Sequence, residues 1–106
     1  MVTPTATPTK PLDIAMMEKV AFILKTTAHP TRIAIVELLN DRGSLSVSDI
    51  CERIGVEQSL TSHHLTDLKL KGVLTSTRDG KNVYYALKMT EVITVIRCLA
   101  ACEALQ

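Results

Sequence analysis

Two short helical patterns lie on either side of Gly55, and their closeness constrains the fold more than any other feature of the sequence. The first follows Ser46, a natural N-cap residue with an acidic residue, Asp49, three positions later. Its apolar residues form one stripe at helical spacing: Val47, Ile50, Cys51 and Ile54. Gly55 ends the helix, because glycine readily adopts the left-handed conformation that stops helices. Residues 44–51 therefore predict the capped start of a helix.

The second pattern begins near Glu57 or Gln58 and runs to Lys71, and a glycine follows it. Leu65 and Leu68 mark the face that is expected to point inward. Two short helices joined by a tight turn that contains glycine form a helix-turn-helix.

A β-hairpin pattern follows this helix pair. Residues 73–78 and 81–87 have the composition of two strands, and Asp79 and Gly80 between them favour a type I′ turn. Three charged residues lie at the predicted tip: Arg78, Asp79 and Lys81. The predicted fold class is therefore mainly α with a β-hairpin wing (α+β), a winged helix-turn-helix.

Two further helices are predicted before this unit. Residues 12–28 are apolar on nearly every side of a helix, which indicates burial both on the chain's own core and on a partner chain. Pro30 suits the first turn of the next helix. That helix is predicted to reach about Leu39, with a turn at residues 40–43.

Length and composition limit the class of protein. The 106 residues fit one domain, with residues 1–11 expected to form a disordered, Thr- and Pro-rich arm and residues 12–106 the folded domain. No apolar run approaches the ~20 residues of a membrane span, and no signal peptide is recognisable. We therefore expect a cytoplasmic protein with no membrane partner. Three cysteines, an odd number in a reducing compartment, do not suggest a disulfide scaffold.

Positive charge is gathered in one part of the chain. The net charge of the whole sequence is only +1. Residues 58–88 carry five Lys or Arg against two Asp, a net charge of +3, and the remainder of the chain carries −2. This clustering is the pattern expected of a nucleic-acid footprint, although on charge alone a solvated basic surface is the better explanation.

Four segments, in this order, resemble the ArsR/SmtB family of bacterial repressors. Residues 28–36 (AHPTRIAIV) resemble the family's entry to its second helix, and residues 45–50 (LSVSDI) resemble the segment that comes next. Residues 58–65 (QSLTSHHL) resemble its recognition helix, and residues 78–87 (RDGKNVYYAL) resemble its wing. The resemblance covers residues 14–105. It implies a homodimer formed through the first and last helices, and transcriptional repression that an inducer releases.

The predicted recognition helix offers DNA an outer face of short hydrogen-bonding side chains: Ser59, Ser62, His63 and Thr66. Gln58 lies at its N-terminus, where backbone N–H groups favour phosphate. Arg78 and Lys81 are expected to contact the DNA backbone or minor groove. Glu57 stands where the family commonly has serine, which removes a good cap and puts a carboxylate near phosphate. We expect modest affinity per subunit, and a dimer on a palindromic double-stranded operator with half-sites about one helical turn apart.

The last helix carries candidate inducer ligands. It is predicted from Glu91 to about Leu105, with Thr90 as its cap. Cys98 and Cys102 stand four residues apart, on one helix face. Their thiolates could chelate a soft metal or metalloid such as As(III), Cd or Zn, alone or with the cysteines of the dimer mate. Packing as small apolar residues in the dimer seam explains the pair equally well.

The third cysteine lies near a place where the family carries another ligand site. Some members bind soft metals or As(III) through two cysteines in the segment that matches Ser46 to Ser48. Both are serine here, and a serine hydroxyl is a poor ligand for soft metals, so that site is lost. Cys51 remains, as a core residue or as a third partner of the other two thiols.

Three functions therefore stay open from the residues alone. The first is a dimeric repressor that responds to a soft metal, an oxidant or a reactive sulfur species. The second is a repressor whose cysteines are purely structural. The third is a winged helix that binds protein rather than DNA. An enzyme is not expected: His63 and His64 with Asp67 suggest a metal hydrolase, but adjacent residues splay about 100° apart on a helix. His64 is instead expected to be a partly buried structural histidine.

Overall fold

A computed structural model describes residues 11–102 and Ala104, so the arm predicted at residues 1–11 lies, but for its last residue, outside the described residues. The described part forms five helices and three strands in this order: α1 (Ile14–Thr27), α2 (Pro30–Arg42), β1 (Ser44–Ser46), α3 (Val47–Ile54), α4 (Gln58–Leu70), β2 (Leu74–Asp79), β3 (Asn82–Leu87) and α5 (Glu91–Ala100). The strands form one antiparallel sheet in the order β1-β3-β2. A helix pair followed by this hairpin confirms the predicted winged helix-turn-helix.

The core is aliphatic and is centred on α2. Ile35, Val36 and Leu39 are each at most 1% exposed. Ile33 of the same helix, by contrast, is 39% exposed. Buried residues of the other elements pack around them: Ile23, Ile50, Leu65, Leu68, Val73, Leu74, Tyr85 and Val92. Because α3 and α4 share this core, the helix pair is held firmly and the outer side of α4 faces solvent.

The start of α3 forms as predicted. Ser46 has an extended backbone, and its hydroxyl accepts a 3.2 Å hydrogen bond from the Asp49 backbone N–H. Gly55 ends the helix in the left-handed conformation, at φ 77°. Strand β1, which pairs with β3 through Ser44↔Ala86, was not predicted. A strand of three residues is too short to show a period of two, and its partner lies about 40 residues away in the chain.

The hairpin turn lies one residue later than predicted. Asp79 pairs with Asn82, so the two-residue loop is Gly80 and Lys81. Gly80 has φ 63°, and among the described residues only glycines have positive φ. A type I′ turn needs positive φ at both central residues, so that prediction is wrong. Glycine at the first central position instead matches a type II′ turn, because β2 continues through Asp79 and β3 begins only at Asn82.

Helix α2 is longer than predicted. It continues through residues 40–42, which were predicted as a turn, and ends at Arg42. Gly43, at φ 87°, then donates its N–H to the Leu39 carbonyl at 2.8 Å. Polar residues favoured the turn prediction, but residues 40–42 are exposed, and polar side chains on the solvent side do not interrupt a helix.

Helix α5 is shorter than predicted. It ends at Ala100, and Leu105, the predicted end, lies outside the described residues. Residues 97–102 are all exposed, and a helix that buries nothing is only weakly stabilised. Thr90 occupies the N-cap position as predicted, but its side chain makes no capping hydrogen bond, because its backbone is helical at φ −68° and ψ −21°.

Helix α1 leaves an apolar face uncovered in the single chain. Its buried residues are Ile23, Thr26 and Thr27. Four residues at helical spacing form an exposed apolar stripe, here called the α1 stripe: Ile14, Met17, Ala21 and Leu24. Lys19 forms an ion pair of 2.8 Å with Glu91, which joins α1 to α5. Among the described residues, none of the helices combines the length and apolar character that a membrane crossing needs.

Candidate nucleic-acid interface

One side of α4 is polar and open to solvent. Ser59, His63 and Thr66 are exposed and Ser62 is half-buried, so the four residues expected to face DNA share one outer side, here called the reading face. The other side packs into the core and holds the buried residues of the helix: Thr61, His64, Leu65 and Leu68. The side chains of the reading face are short and can both donate and accept hydrogen bonds, as contact with base edges in a major groove requires.

The N-terminus of α4 has an unusual cap. Glu57 occupies the N-cap position with an extended backbone, but its side chain makes no capping hydrogen bond. Its carboxylate instead accepts a 2.9 Å hydrogen bond from the hydroxyl of Ser59. Gln58, the first helical residue, is exposed beside it. A carboxylate therefore lies at the helix end whose partial positive charge favours anions.

The wing follows α4 almost at once. Gly72, at φ 81°, turns the chain, and the Val73 N–H donates to the Leu68 carbonyl at 3.0 Å. Arg78 and Lys81 near the tip are exposed, and neither forms an ion pair with another described residue. Two unpaired cations at the end of a hairpin are free to contact phosphates.

Behind the reading face lies a polar cluster that the sequence did not predict, here called the Arg32 cluster: Thr26, Arg32, His64 and Asp67. Nε of Arg32 donates to Nδ1 of His64 at 3.0 Å, and Nη1 of Arg32 donates to the Thr26 carbonyl at 3.0 Å. The same Nη1 lies 2.7 Å from Oδ2 of Asp67. One guanidinium therefore joins the end of α1 to the inner side of α4.

His64 is buried in this cluster, and its surroundings favour the neutral imidazole. It is 5% exposed, in agreement with the structural role expected for it. Burial first, and then the charge of Arg32, lower the pKa of His64 below its ordinary value; the rings of His29 and His63 act in the same direction and Asp67 acts against them. Its Nε2 atom has no hydrogen-bond partner among the described residues.

Asp67 completes the cluster at the surface. Its Oδ2 atom also accepts a 2.9 Å hydrogen bond from Lys71, one helical turn further along. The Lys71 ammonium, and after it the Arg32 guanidinium, lower the pKa of Asp67. Arg32 lies within the segment at residues 28–36, but its partners on α4 are 32 or more residues away in the chain, so no local sequence pattern predicted these contacts.

The three cysteines lie apart from the reading face. Cys51 is half-buried on α3, whereas Cys98 and Cys102 are both exposed. Cys98 lies within α5, whereas Cys102 lies two residues beyond its end at Ala100, and the prediction that the two share one helix face stays a prediction. The chain does continue to turn, since the Cys102 N–H donates to the Leu99 carbonyl at 3.2 Å. Within the described part of the protomer, no group of three or more His, Cys, Asp or Glu residues could hold a metal ion.

Known proteins resemble both the sequence and this arrangement. The family model described as "Bacterial regulatory protein, arsR family" matches residues 29–76, which contain the helix pair. The HTH-type transcriptional regulator NmtR of Mycobacterium tuberculosis is 37% identical over 89 residues, 84% of this chain and 73% of that protein.

Solved structures share the architecture. The transcriptional repressor BigR from Xylella fastidiosa has a TM-score of 0.74 at 30% identity, covering 81% of this chain and 89% of that one. A homodimeric winged helix-turn-helix DNA-binding domain from Mycobacterium bovis, described as a possible ArsR-family transcriptional regulator, has a TM-score of 0.68 at 27% identity, covering 81% and 82%.

Proposed function

The chain belongs to the arsR family of bacterial regulatory proteins, and from this premise we propose that it is a homodimeric transcriptional repressor that binds a palindromic operator. The observation that carries the proposal is the reading face of α4, which is polar, accessible and held by a well-packed core. This function places the protein in the cytoplasm with the DNA, and it requires no enzymatic activity.

The DNA contacts divide into two kinds. The reading face is proposed to contact base edges in the major groove through Ser59, Ser62, His63 and Thr66. Gln58 is proposed to contact a phosphate at the helix N-terminus. Arg78 and Lys81 of the wing add contacts to the backbone or minor groove, which set register and affinity but carry no sequence information of their own. A two-fold dimer places two such units on half-sites about one helical turn apart.

The dimer is proposed to form through α1 and α5. The α1 stripe exposes large apolar side chains, with Ile14 at 75% and Met17 at 52% exposure, and Leu99 of α5 is 50% exposed. A small monomer rarely leaves a contiguous apolar surface in water, and such a surface marks an interaction site. The homodimeric relative from Mycobacterium bovis supports a second copy as the occupant.

The inducer is proposed to act on thiols. Cys98 and Cys102 are exposed close together in sequence at the end of α5, beside the proposed dimer seam. Two thiols from each protomer supply up to four soft ligands for As(III), Cd or Zn, and Cys51 is a candidate third partner. An oxidant or a reactive sulfur species would act on the same exposed sulfurs.

DNA binding is tested with a fluorescent duplex of the protein's own promoter, read by anisotropy across a salt series. We expect saturable binding that weakens steeply with salt. Arg78→Gln and Lys81→Gln should each reduce the slope of log K against log salt by about 1. Arg42→Gln, which removes an exposed cation from the end of α2, is the matched control and should leave the slope unchanged. Binding that is absent, or that ignores salt, contradicts the DNA function and favours a protein partner.

The inducer is tested on the preformed complex. As(III), Cd(II), Zn(II) and a persulfide donor are added in turn to the parent protein and to Cys98→Ser, Cys102→Ser and Cys51→Ala. We expect at least one of them to release the parent but not the first two variants. Loss of the response only in Cys51→Ala moves the site to α3. Release of every variant, or of none, contradicts thiol sensing and leaves a repressor with structural cysteines.

A further inference from the structure

Arg32 is the one described side chain that contacts both the end of α1 and the inner side of α4 through polar atoms. Its guanidinium donates to the Thr26 carbonyl, a carbonyl in the last turn of α1, where helices lack partners. On α4 it meets Nδ1 of His64 at 3.0 Å and Oδ2 of Asp67 at 2.7 Å. The side chain is only 13% exposed, so these partners replace most of its contact with water.

The two α4 partners lie directly beside reading residues. His63 precedes His64, and Thr66 precedes Asp67, so each partner of Arg32 and its neighbour on the reading face differ by about 100° around the helix axis. A contact that fixes His64 and Asp67 against α2 therefore also fixes the direction in which His63 and Thr66 point. The planar fork of arginine suits this task, because it holds several acceptors in one defined geometry.

Apolar packing alone defines the rotation of α4 about its own axis less strictly than the polar contacts of Arg32 do. Leu65 and Leu68 anchor α4 in the core, but apolar contacts are not directional. The charge-assisted contacts of Arg32 are directional, and a buried His64 would lose its only described hydrogen-bond partner without them. Rotation of α4 by a small angle thus breaks the Arg32 contacts before it disturbs the core.

We propose that Arg32 is a positioning residue for DNA recognition, which sets the rotation of the reading helix and ties it to the dimerisation helix. This inference rests on the proposed function. Because α1 lies in the proposed dimer seam, the Arg32 guanidinium of each protomer links the seam to the reading face of that same protomer. Arg32 itself does not contact DNA in this scheme: it acts through His64 and Asp67.

The contact to His64 has a protonation requirement. Nδ1 accepts the hydrogen bond from Arg32 only while the imidazole is neutral, and a protonated ring would place a second cation against the guanidinium. The charged and titratable groups around His64 are Arg32 and His29 from α2 and its cap, and His63 and Asp67 from α4. Sequence-specific binding should therefore weaken as the pH falls through the titration of His64.

The first experiment compares operator and random-sequence DNA of equal length, using Arg32→Gln, Arg32→Lys and Asp67→Asn. We expect Arg32→Gln to lower the ratio of specific to random affinity about tenfold, the size of losing a good base-pair contact. Arg32→Lys should fall between the parent and this variant, because lysine keeps the charge but not the fork. Arg42→Gln removes the same charge from an exposed site and should keep the parent ratio.

The outcomes separate the two proposals. If the parent itself does not bind its promoter, the proposed function fails. If the parent binds and all three cluster variants keep its ratio, only the positioning role of Arg32 fails. An equal loss on both DNAs, or a loss of dimer, also contradicts positioning, because it reveals a general structural role. Should Arg32→Gln not fold, Arg32→Lys and Asp67→Asn decide between these results.

The second experiment measures the same ratio from about pH 7.5 to about pH 5.5. In His64→Asn the side-chain oxygen can take the place of Nδ1 as acceptor and cannot be protonated in this range. We expect the parent ratio to fall with pH and the variant ratio to fall less. Since His29 and His63 are present in both proteins, equal pH profiles would overturn the His64 step.

Discussion

The hydroxyl of Ser59 donates a 2.9 Å hydrogen bond to the carboxylate of Glu57, two residues before it. This contact joins the N-cap residue of α4 to the first hydroxyl of the reading face. The hydroxyl is thereby engaged before any DNA arrives, and a negative charge stands at the helix end that a phosphate would approach. We therefore expect Glu57 to weaken DNA binding compared with a neutral residue.

Replacement of Glu57 with glutamine should tighten operator binding. Two like charges about 4 Å apart in water repel each other by about 1 kcal/mol, so removal of the Glu57 charge should improve affinity by up to about fivefold at low salt. Anisotropy titrations across a salt series measure the effect, which should shrink as salt screens the charge. Asp41→Asn removes an exposed carboxylate from the end of α2 and should change little. The same gain in both variants would contradict a local effect of Glu57.

The reading face could be predicted because it depends on one helix only. Once Leu65 and Leu68 are taken as inward, the spacing of 3.6 residues places Ser62, His63 and Thr66 outside. The capped start of α3 was predictable for the same reason, since Ser46 and Asp49 are three residues apart. Helical periodicity and helix capping depend only on residues that are close together in the chain, so a short stretch of sequence is enough to predict them.

The features that could not be predicted are strand β1, the contacts of Arg32 and the end of α5. Each depends on residues that are distant in the chain or on where the core ends. Strand β1 exists because Ser44 to Ser46 pair with Tyr84 to Ala86. Arg32 reaches partners on α4 through tertiary packing alone. The last helix stops at Ala100 although its apolar pattern continues, because exposed residues beyond that point have no core to support them.

Replacement of Ser46 with alanine should destabilise the protein. The Ser46 hydroxyl accepts the Asp49 N–H and is 8% exposed, so alanine leaves that N–H without its cap. A lost N-cap typically lowers the free energy of unfolding by about 1 kcal/mol. Urea unfolding at neutral pH measures it, and Ser48→Ala in the first turn of the same helix is the control, since Ser48 is exposed. Equal effects of the two changes would show that the cap does not stabilise α3.

The free energy of unfolding should depend on pH through His64. Its folded pKa lies below the unfolded value of 6.5, so between these two values the unfolded chain binds more protons than the folded one. The stabilising contribution is therefore fully present above pH 6.5 and is lost as the pH falls from there through the folded pKa. Urea midpoints at a series of pH values measure this loss.

The matched variant for this measurement is His64→Asn, in which this part of the pH dependence should disappear. His29 and His63 remain in both proteins, so the difference between the two pH profiles isolates His64. A parent protein whose stability rises as the pH falls below 6.5, relative to the variant, would contradict the lowered pKa.

Met17→Glu should break the dimer without unfolding the protomer. Met17 lies in the α1 stripe and is 52% exposed in the single chain, so a charge there costs the protomer little, about 0.5 kcal/mol or less. In a dimer seam the same charge would be buried without a partner, which is strongly unfavourable. Sedimentation equilibrium at micromolar protein should show dimeric parent and monomeric variant, with operator binding weakened in parallel. Leu70→Glu is the control for a charge placed at an exposed apolar residue outside the proposed seam. Leu70 is 80% exposed but lies on α4, so this variant should remain dimeric. A Met17→Glu protein that stays dimeric would place the seam elsewhere than on the α1 stripe.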